Sequence, residues 1–301
     1  MVDIGRSSTG SALPPLLSAE ILAKTVEASV IMRMGSQVSV PGAGLTIPVI
    51  TGEPTAGWSA ETARKPVSTH TMTRKNLTPK TLSVIEPFSN QFRRDLPGLY
   101  AELVRRLPLA IARKFDSDVI FSDRTNVDSL WANAAALSAN ANRSVLDSTA
   151  TYQDVIDGVS AVVTAGYDPS GVVFSPAGEL LLASAQTSGP LTFGQGRTGS
   201  LVSNAITSRN VAVSGLDADA VGAGTTTFTV NGIVGDWSQL VWGYVQSIDV
   251  AISDQAVLYV DGGANDIHLF QQNMFAIRAE VEIGAVIGDV KAFNLYGTTP
   301  A

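Results

Sequence analysis

The segment from Leu45 to Arg94 limits what this chain can become more than any other. It opens with Leu45-Thr46-Ile47-Pro48-Val49-Ile50, a short apolar run of β-forming residues. It closes with Thr81-Leu82-Ser83-Val84-Ile85-Glu86-Pro87-Phe88, where Leu82, Val84 and Phe88 share one side of a period-two pattern. About thirty residues lie between them, rich in Thr, Gly, Pro and charge, with Trp58 the one large apolar anchor. Such a middle cannot build a core of its own. At roughly 3.3 Å per residue, an out-and-back ribbon of this length projects on the order of 50 Å. An isolated two-stranded ribbon is marginal in water. It therefore needs a surface to lie on, and the expected surface is a neighbouring copy of the same protein.

The rest of the chain can supply a body for that ribbon. Its 301 residues suffice for a substantial core, and 45% hydrophobic, 16% charged and 27 glycines describe a folded, loop-rich α/β or α+β protein. With no cysteine, disulfide and thiolate chemistry are excluded. Two histidines, His70 and His268, are too few for the usual zinc sets. No apolar run has the length of a membrane span, and the first residues lack a basic-then-apolar signal. The net charge of −7 is unevenly spread: residues 1–114 carry 14 Lys and Arg against 8 acids, and residues 115–301 carry 6 against 19. Two differently solvated surfaces would explain this. So would a basic arm and ribbon that meet acidic surface on the next copy, a complementarity that steers association and fixes register. The acidic total argues against wholesale nucleic-acid binding.

Before the ribbon, Ser18 is placed to cap a helix running to Met34, with Leu22, Val26, Val30 and Met34 on one stripe and Gly35 as the stop. After it, Gly98 to Phe121 reads as the longest helix, about 35 Å by its length. Tyr100, Leu103, Leu107, Ile111 and Phe115 form its apolar stripe; Arg105, Arg106, Arg113 and Lys114 take the other face. Pro108 in its interior predicts a kink near Val104–Pro108, because a mid-helix proline costs about 3 kcal/mol. Residues 122–150 read as a linker with a short helix around Leu130–Ala136. A helix with Tyr152, Val155, Ile156, Val159 and Val163 on one face follows, stopped by Gly166. Then come a strand over 171–174 and a helix capped by Ser175 with Pro176 at its first position. Strands are expected around Asn210–Ser214 and Thr225–Val230. Alternation of Phe275, Ile277, Ala279, Val281 and Ile283 with Arg278, Glu280 and Glu282 predicts a half-buried strand near the end.

Several of these segments, in this order, resemble the tailed-phage major capsid proteins of the Hong Kong 97 fold. The resemblance rests on Ile47–Trp58, Glu61, Lys65-Pro66 and Leu77–Asn90 in the ribbon, on Arg105-Arg106-Leu107 and Ala110–Arg113 in the long helix, on Gly235-Asp236-Trp237, and on Asn273–Glu280 with Asp289–Phe293. It implies an α+β chain with an N-terminal arm (1–40) and an extended loop (41–92). A peripheral domain (93–150, spine helix 98–121), an axial domain (151–264) and return strands of the peripheral domain (265–301) follow. It further implies hexamers and pentamers closing into an icosahedral shell around double-stranded DNA, assembled in a host cytoplasm. The implied partners are other copies, a portal protein, a scaffold, a maturation protease and packaged DNA touched weakly from inside. Trp58, Glu61, Arg64, Lys65, Arg105, Arg106 and Arg113 are the expected inter-subunit residues, and Pro108 a hinge that fits subunits to different curvatures. An ordinary amphipathic helix on its own domain is the alternative to a reaching arm. An encapsulin-like nanocompartment subunit is the nearest alternative function.

Catalytic signals are few. Gly194-Gln195-Gly196-Arg197-Thr198-Gly199 satisfies the dinucleotide glycine pattern, with Asp219 twenty residues on, which would suit a nucleotide-binding α/β enzyme. The pattern has that meaning only between a strand and a helix, and Ser188-Gly189-Pro190 just before it argues for a loop instead, which the resemblance implies would face the capsomer axis. No nucleophile elbow, phosphate-loop lysine or HExxH motif is present, so no catalytic residue, cofactor or metal is expected. Some capsid proteins of the resembled fold join neighbours through a lysine–asparagine isopeptide bond; Lys65 and Lys75 are candidate donors, Asn265 and Asn273 candidate acceptors.

Overall fold

A computed structural model describes residues 15–51, 56–68, 71–91, 96–121, 127–128, 130, 143–146, 152–184, 201, 205–208, 229–260 and 266–298. Two long antiparallel strands dominate it, β9 (Leu240–Ser253) and β12 (Met274–Ile287). β4 (Lys80–Ser89) pairs antiparallel on the other side of β12, and β1 (Ser36–Gln37) parallel on β9, giving the order β1-β9-β12-β4. Along β12, Phe275, Ile277, Ala279, Val281 and Ile283 are buried while Arg278 and Glu282 are exposed, so the expected alternation is present. One face of this sheet thus meets the core. Helices α1 (Pro15–Ala28) and α3 (Leu96–Phe121) cover it, with Ile21, Leu107, Ile111, Phe115 and Val119 in the same cluster as the strand residues.

The expected single helix to Met34 is two helices. α1 begins at Pro15, three residues before Ser18, and a second helix, α2 (Val30–Met34), starts after Ser29. Ser29 is extended (φ −84°, ψ 130°), and its hydroxyl accepts from the Met32 amide at 3.1 Å while donating to Asp116. Asp116, wholly buried on α3, also accepts from the amides of Val30 (2.9 Å) and Ile31 (3.3 Å). A helix start leaves unpaired amides, and here a carboxylate from a distant helix satisfies them. Over 21–34 the chain therefore packs on its own α3 and β9.

α3 runs unbroken through Pro108, which is buried. Leu107, Ile111 and Phe115 face inward as expected, and Arg106, Arg113 and Lys114 face solvent. The side chains of Tyr100, Leu103 and Arg105 lie outside the described residues.

A second sheet has the order β5-β13-β8-β6-β7, formed by Arg143–Val145, Phe293–Thr298, Thr229–Gly235, Gly171–Phe174 and Ile206–Thr207. Helix α4 (Tyr152–Thr164) packs on one face through Val155, Val159 and Val162. Val163, expected on that face, is exposed, because Val155, Val159 and Val162 at helical spacing turn it outward. Tyr296 lies against Gly158, where any Cβ would collide with its ring, and its hydroxyl donates to the Val155 carbonyl at 2.8 Å. The other face of the sheet, with Val173, Ile233 and Leu295, joins the main core. Ser175 caps α5 (Pro176–Ser184) as expected, its hydroxyl accepting from the Gly178 amide at 3.0 Å.

β9, within 151–264, pairs with β12 and β1, and β13, within 265–301, pairs with β8 and β5. β5 was not foreseen. The helix at Leu130–Ala136, apart from buried Leu130, the strand at Asn210–Ser214 and the first part of the strand at Thr225–Val230 lie outside the described residues.

Candidate inter-subunit surface

The ribbon is a hairpin of β2 (Leu45–Thr51) and β3 (Thr71–Leu77), in register from Leu45 opposite Leu77 to Thr51 opposite Thr71. Among the described residues these strands pair only with each other, so neither outer edge has a ladder partner there. Gly44, at φ +87°, turns the chain into it, with its amide on the Pro41 carbonyl. Only the base is anchored in apolar contact. Leu77, Val40 and Val286 are buried together, and Leu45, Ile47, Val38, Val241 and Val245 pack against them.

Beyond that base large apolar side chains of the hairpin are exposed. Trp58 is 106% exposed, Val67 85% and Met72 57%. Glu61, Arg64, Lys65 and Arg74 are exposed as well. The four expected contact residues of the ribbon, Trp58, Glu61, Arg64 and Lys65, thus fall on one protruding segment. Arg106 and Arg113 sit apart on the solvent face of α3. Gly194, Gly196, Arg197 and Gly199 lie outside the described residues, as do His70 and Asn265, and the side chain of Arg105 is likewise undescribed.

Lys75 is different from its neighbours in the ribbon. Its side chain turns to the body, where the ammonium donates to the Ile287 carbonyl and stands 3.7 Å from Asp128. Asp128 in turn accepts from the Ile287 amide at 3.1 Å. This contact already occupies the ammonium within its own chain, so Lys65 is the accessible one of the two candidate isopeptide donors. Asn273, a candidate acceptor, has φ 53° and its side-chain oxygen accepts from Asn90 at 2.8 Å.

A second surface carries the opposite charge. On the uncovered face of the four-stranded sheet, Asp249 stands directly opposite Glu280, with Glu282 two residues further along β12. Like charges directly opposed across strands are unfavourable. Arg278 reaches Glu280 at 3.2 Å, and Ile85, paired with Arg278, adds an apolar spot that is 49% exposed. Sequence reading took Glu280 and Glu282 only as markers of a solvent face; Asp249 joins them through long-range pairing that spacing does not reveal.

Among the described residues no group of His, Asp and Glu could hold a metal ion, and no helix is long and apolar enough to cross a membrane. A family model described as the phage capsid family matches residues 9–297. The probable major capsid protein gp17 of Mycobacterium phage D29 is 26% identical over 287 residues, covering 93% of this chain and 88% of the relative. The protein of the same description in Mycobacterium phage L5 is 26% identical over 294 residues, covering 93% and 87%. A solved chain from Gordonia phage Cozz superposes with a TM-score of 0.63 at 26% identity, covering 91% of this chain and 87% of that one. One from Mycobacterium phage Bobi gives 0.66 at 22% identity, covering 91% of each, a likeness of fold.

Proposed function

Because this chain belongs to the phage capsid family, we propose that its protruding hairpin is an extended loop laid over a neighbouring subunit in a closed shell. Membership makes the protein a structural subunit of the virion shell rather than an enzyme. The finer architecture is our reading. The four-stranded sheet and α3 form a peripheral unit of Hong Kong 97 type, and the five-stranded sheet with α4 forms an axial unit. Copies assemble as hexamers and pentamers into an icosahedral container for double-stranded DNA, with a portal, a scaffold and a maturation protease as partners. Nothing in the relatives points to a nanocompartment or a nucleotide-binding enzyme.

The observation that carries this reading is Trp58, fully exposed on a ribbon whose strands, among the described residues, pair only with each other. Burying such a ring contributes on the order of 2–3 kcal/mol per subunit, repeated at each copy of the interface. The basic side chains beside it, Arg64, Lys65 and Arg74, match the acid-bearing sheet face of another copy. Heterologous contacts of this kind close into rings when the rotation between copies allows.

Electron microscopy of the expressed protein tests the proposal, with closed shells the expected result. Trp58→Ala should lower the yield of shells while leaving the isolated subunit folded. Shells of normal yield from that variant, or from one lacking residues 56–68, would remove the hairpin from the interface.

A further inference from the structure

We infer that Lys75 and Asp128 are positioning residues for assembly: the node they form with the Ile287 backbone sets the angle at which the hairpin leaves the body. The inference rests on the hairpin being the inter-subunit loop. Two attachments hold the hairpin. One is the apolar seam of Leu77, Val40 and Val286 at its base, which resists separation but has no directional preference. The other is the node, where three elements distant in sequence converge: β3 through Lys75, the segment after α3 through Asp128, and the end of β12 through Ile287.

The node has the directionality that the seam lacks. The Ile287 amide donates to the Asp128 carboxylate, the Asp128 amide donates to the Ala285 carbonyl, and the Lys75 ammonium donates to the Ile287 carbonyl. Asp128 is thus fixed to β12 at two points before Lys75 arrives. The side chains are 25% and 17% exposed, so water competes only partly for these contacts. The strands are paired for four further residues beyond Lys75, to Thr71 opposite Thr51, about 13 Å of ribbon before the tip begins. A pivot of about 10° at the node therefore moves the end of the paired strands by roughly 2 Å, and the tip by more. Side chains separated from an interface by a radial gap of 0.5–1 Å already lose about a quarter to a half of their dispersion attraction. An error too small to unfold the subunit is thus large enough to misdirect Trp58.

The test uses Lys75→Met, which keeps most of the stem, with Lys75→Arg and Asp128→Asn beside it. In the unassembled subunit, Lys75→Met should shift the thermal midpoint by only a few degrees, since the seam and both cores remain. Hydrogen exchange at the amides of 45–51 and 71–77 should accelerate. Shell yield should fall by about tenfold or more, or diameters should broaden, with Lys75→Arg restoring much of the loss and Asp128→Asn resembling Lys75→Met. Normal shells from Lys75→Met would overturn the inference. So would unfolding of both Lys75→Met and Asp128→Asn, which would make the node part of the core. Loss of shells on removing residues 56–68 together with normal shells from Lys75→Met would sink this inference alone; normal shells after that removal would sink the hairpin reading beneath it.

Discussion

Ser29 and Asp116 show how much of the N-terminal region is decided by two side chains. Nothing in the local pattern marks Ser29, because serine is tolerated inside a helix and Leu22, Val26, Val30 and Met34 carry the helical stripe past it. The break depends on a carboxylate 87 residues away that no local pattern links to it. Ser29→Ala removes the cap of α2 and one partner of a buried carboxylate. It should destabilise the subunit by about 1–3 kcal/mol in urea unfolding, with little change in the slope. Gly158 was equally silent, since only the position of the Tyr296 ring reveals why a side chain cannot stand there. Gly158→Ala displaces that ring and its bond to Val155, and a loss of about 1–3 kcal/mol is expected. Tyr167 supplies a pH test. Burial, then its hydrogen bond to Asp289, pushes its pKa up from 10 to about 12. A raised folded-state pKa stabilises fully below pH 10, and that contribution is lost as pH rises through about 12. Burial moves Tyr296 in the same direction. Tyr167→Phe should therefore lower the melting temperature below pH 10, where the bond to Asp289 is lost, and flatten part of the fall above it.

Elements with a strong local period were legible, and those made by distant pairing were not. The alternation in β12, the inward stripe of α3 and the Ser175-Pro176 start of α5 all follow from spacing or cap chemistry. The hairpin was legible for a negative reason, in that a middle so poor in apolar residues cannot build a core of its own. β5 has three residues and lies at a sheet edge in parallel pairing, so it carries no periodic signal of its own. The membership of β9 in the four-stranded sheet and of β13 in the five-stranded one was not legible, because sequence order does not say which strand a segment will pair with. At Pro108 the sequence predicts a weak point, and the helix continues through it. Pro108→Ala returns an amide donor to the Val104 carbonyl and should raise the stability of the unassembled subunit, less whatever packing the buried ring supplied. A spine that must bend would then give fewer closed shells or a narrower range of diameters. Shells indistinguishable by microscopy would leave the proline without a mechanical role.

For the whole molecule, the division of charge becomes a spatial one. The excess of Lys and Arg before residue 115 includes Arg64, Lys65 and Arg74 on the protruding ribbon, and the later acidic excess includes Asp249, Glu280 and Glu282 on the uncovered sheet face. Within one subunit this arrangement is mildly unfavourable, because Asp249 and Glu280 face each other across the strands, with the Arg278 guanidinium 3.2 Å from Glu280 as a partial offset. A neighbour that brings cations converts the penalty into attraction. Exposed pairs are each worth less than about 1 kcal/mol, so their effect should appear first in encounter rates and in register, and only weakly in the strength of a finished shell. Screening lengths near 10 Å at 0.1 M salt fall to about 3 Å at 1 M. Light scattering should accordingly show assembly slowing several-fold as salt rises across that range, while preformed shells persist. The paired change Asp249→Asn with Glu282→Gln should lower both the low-salt rate and its salt dependence. Equal salt dependence in wild type and the neutralised variant would mean that the cations of the ribbon meet some other surface.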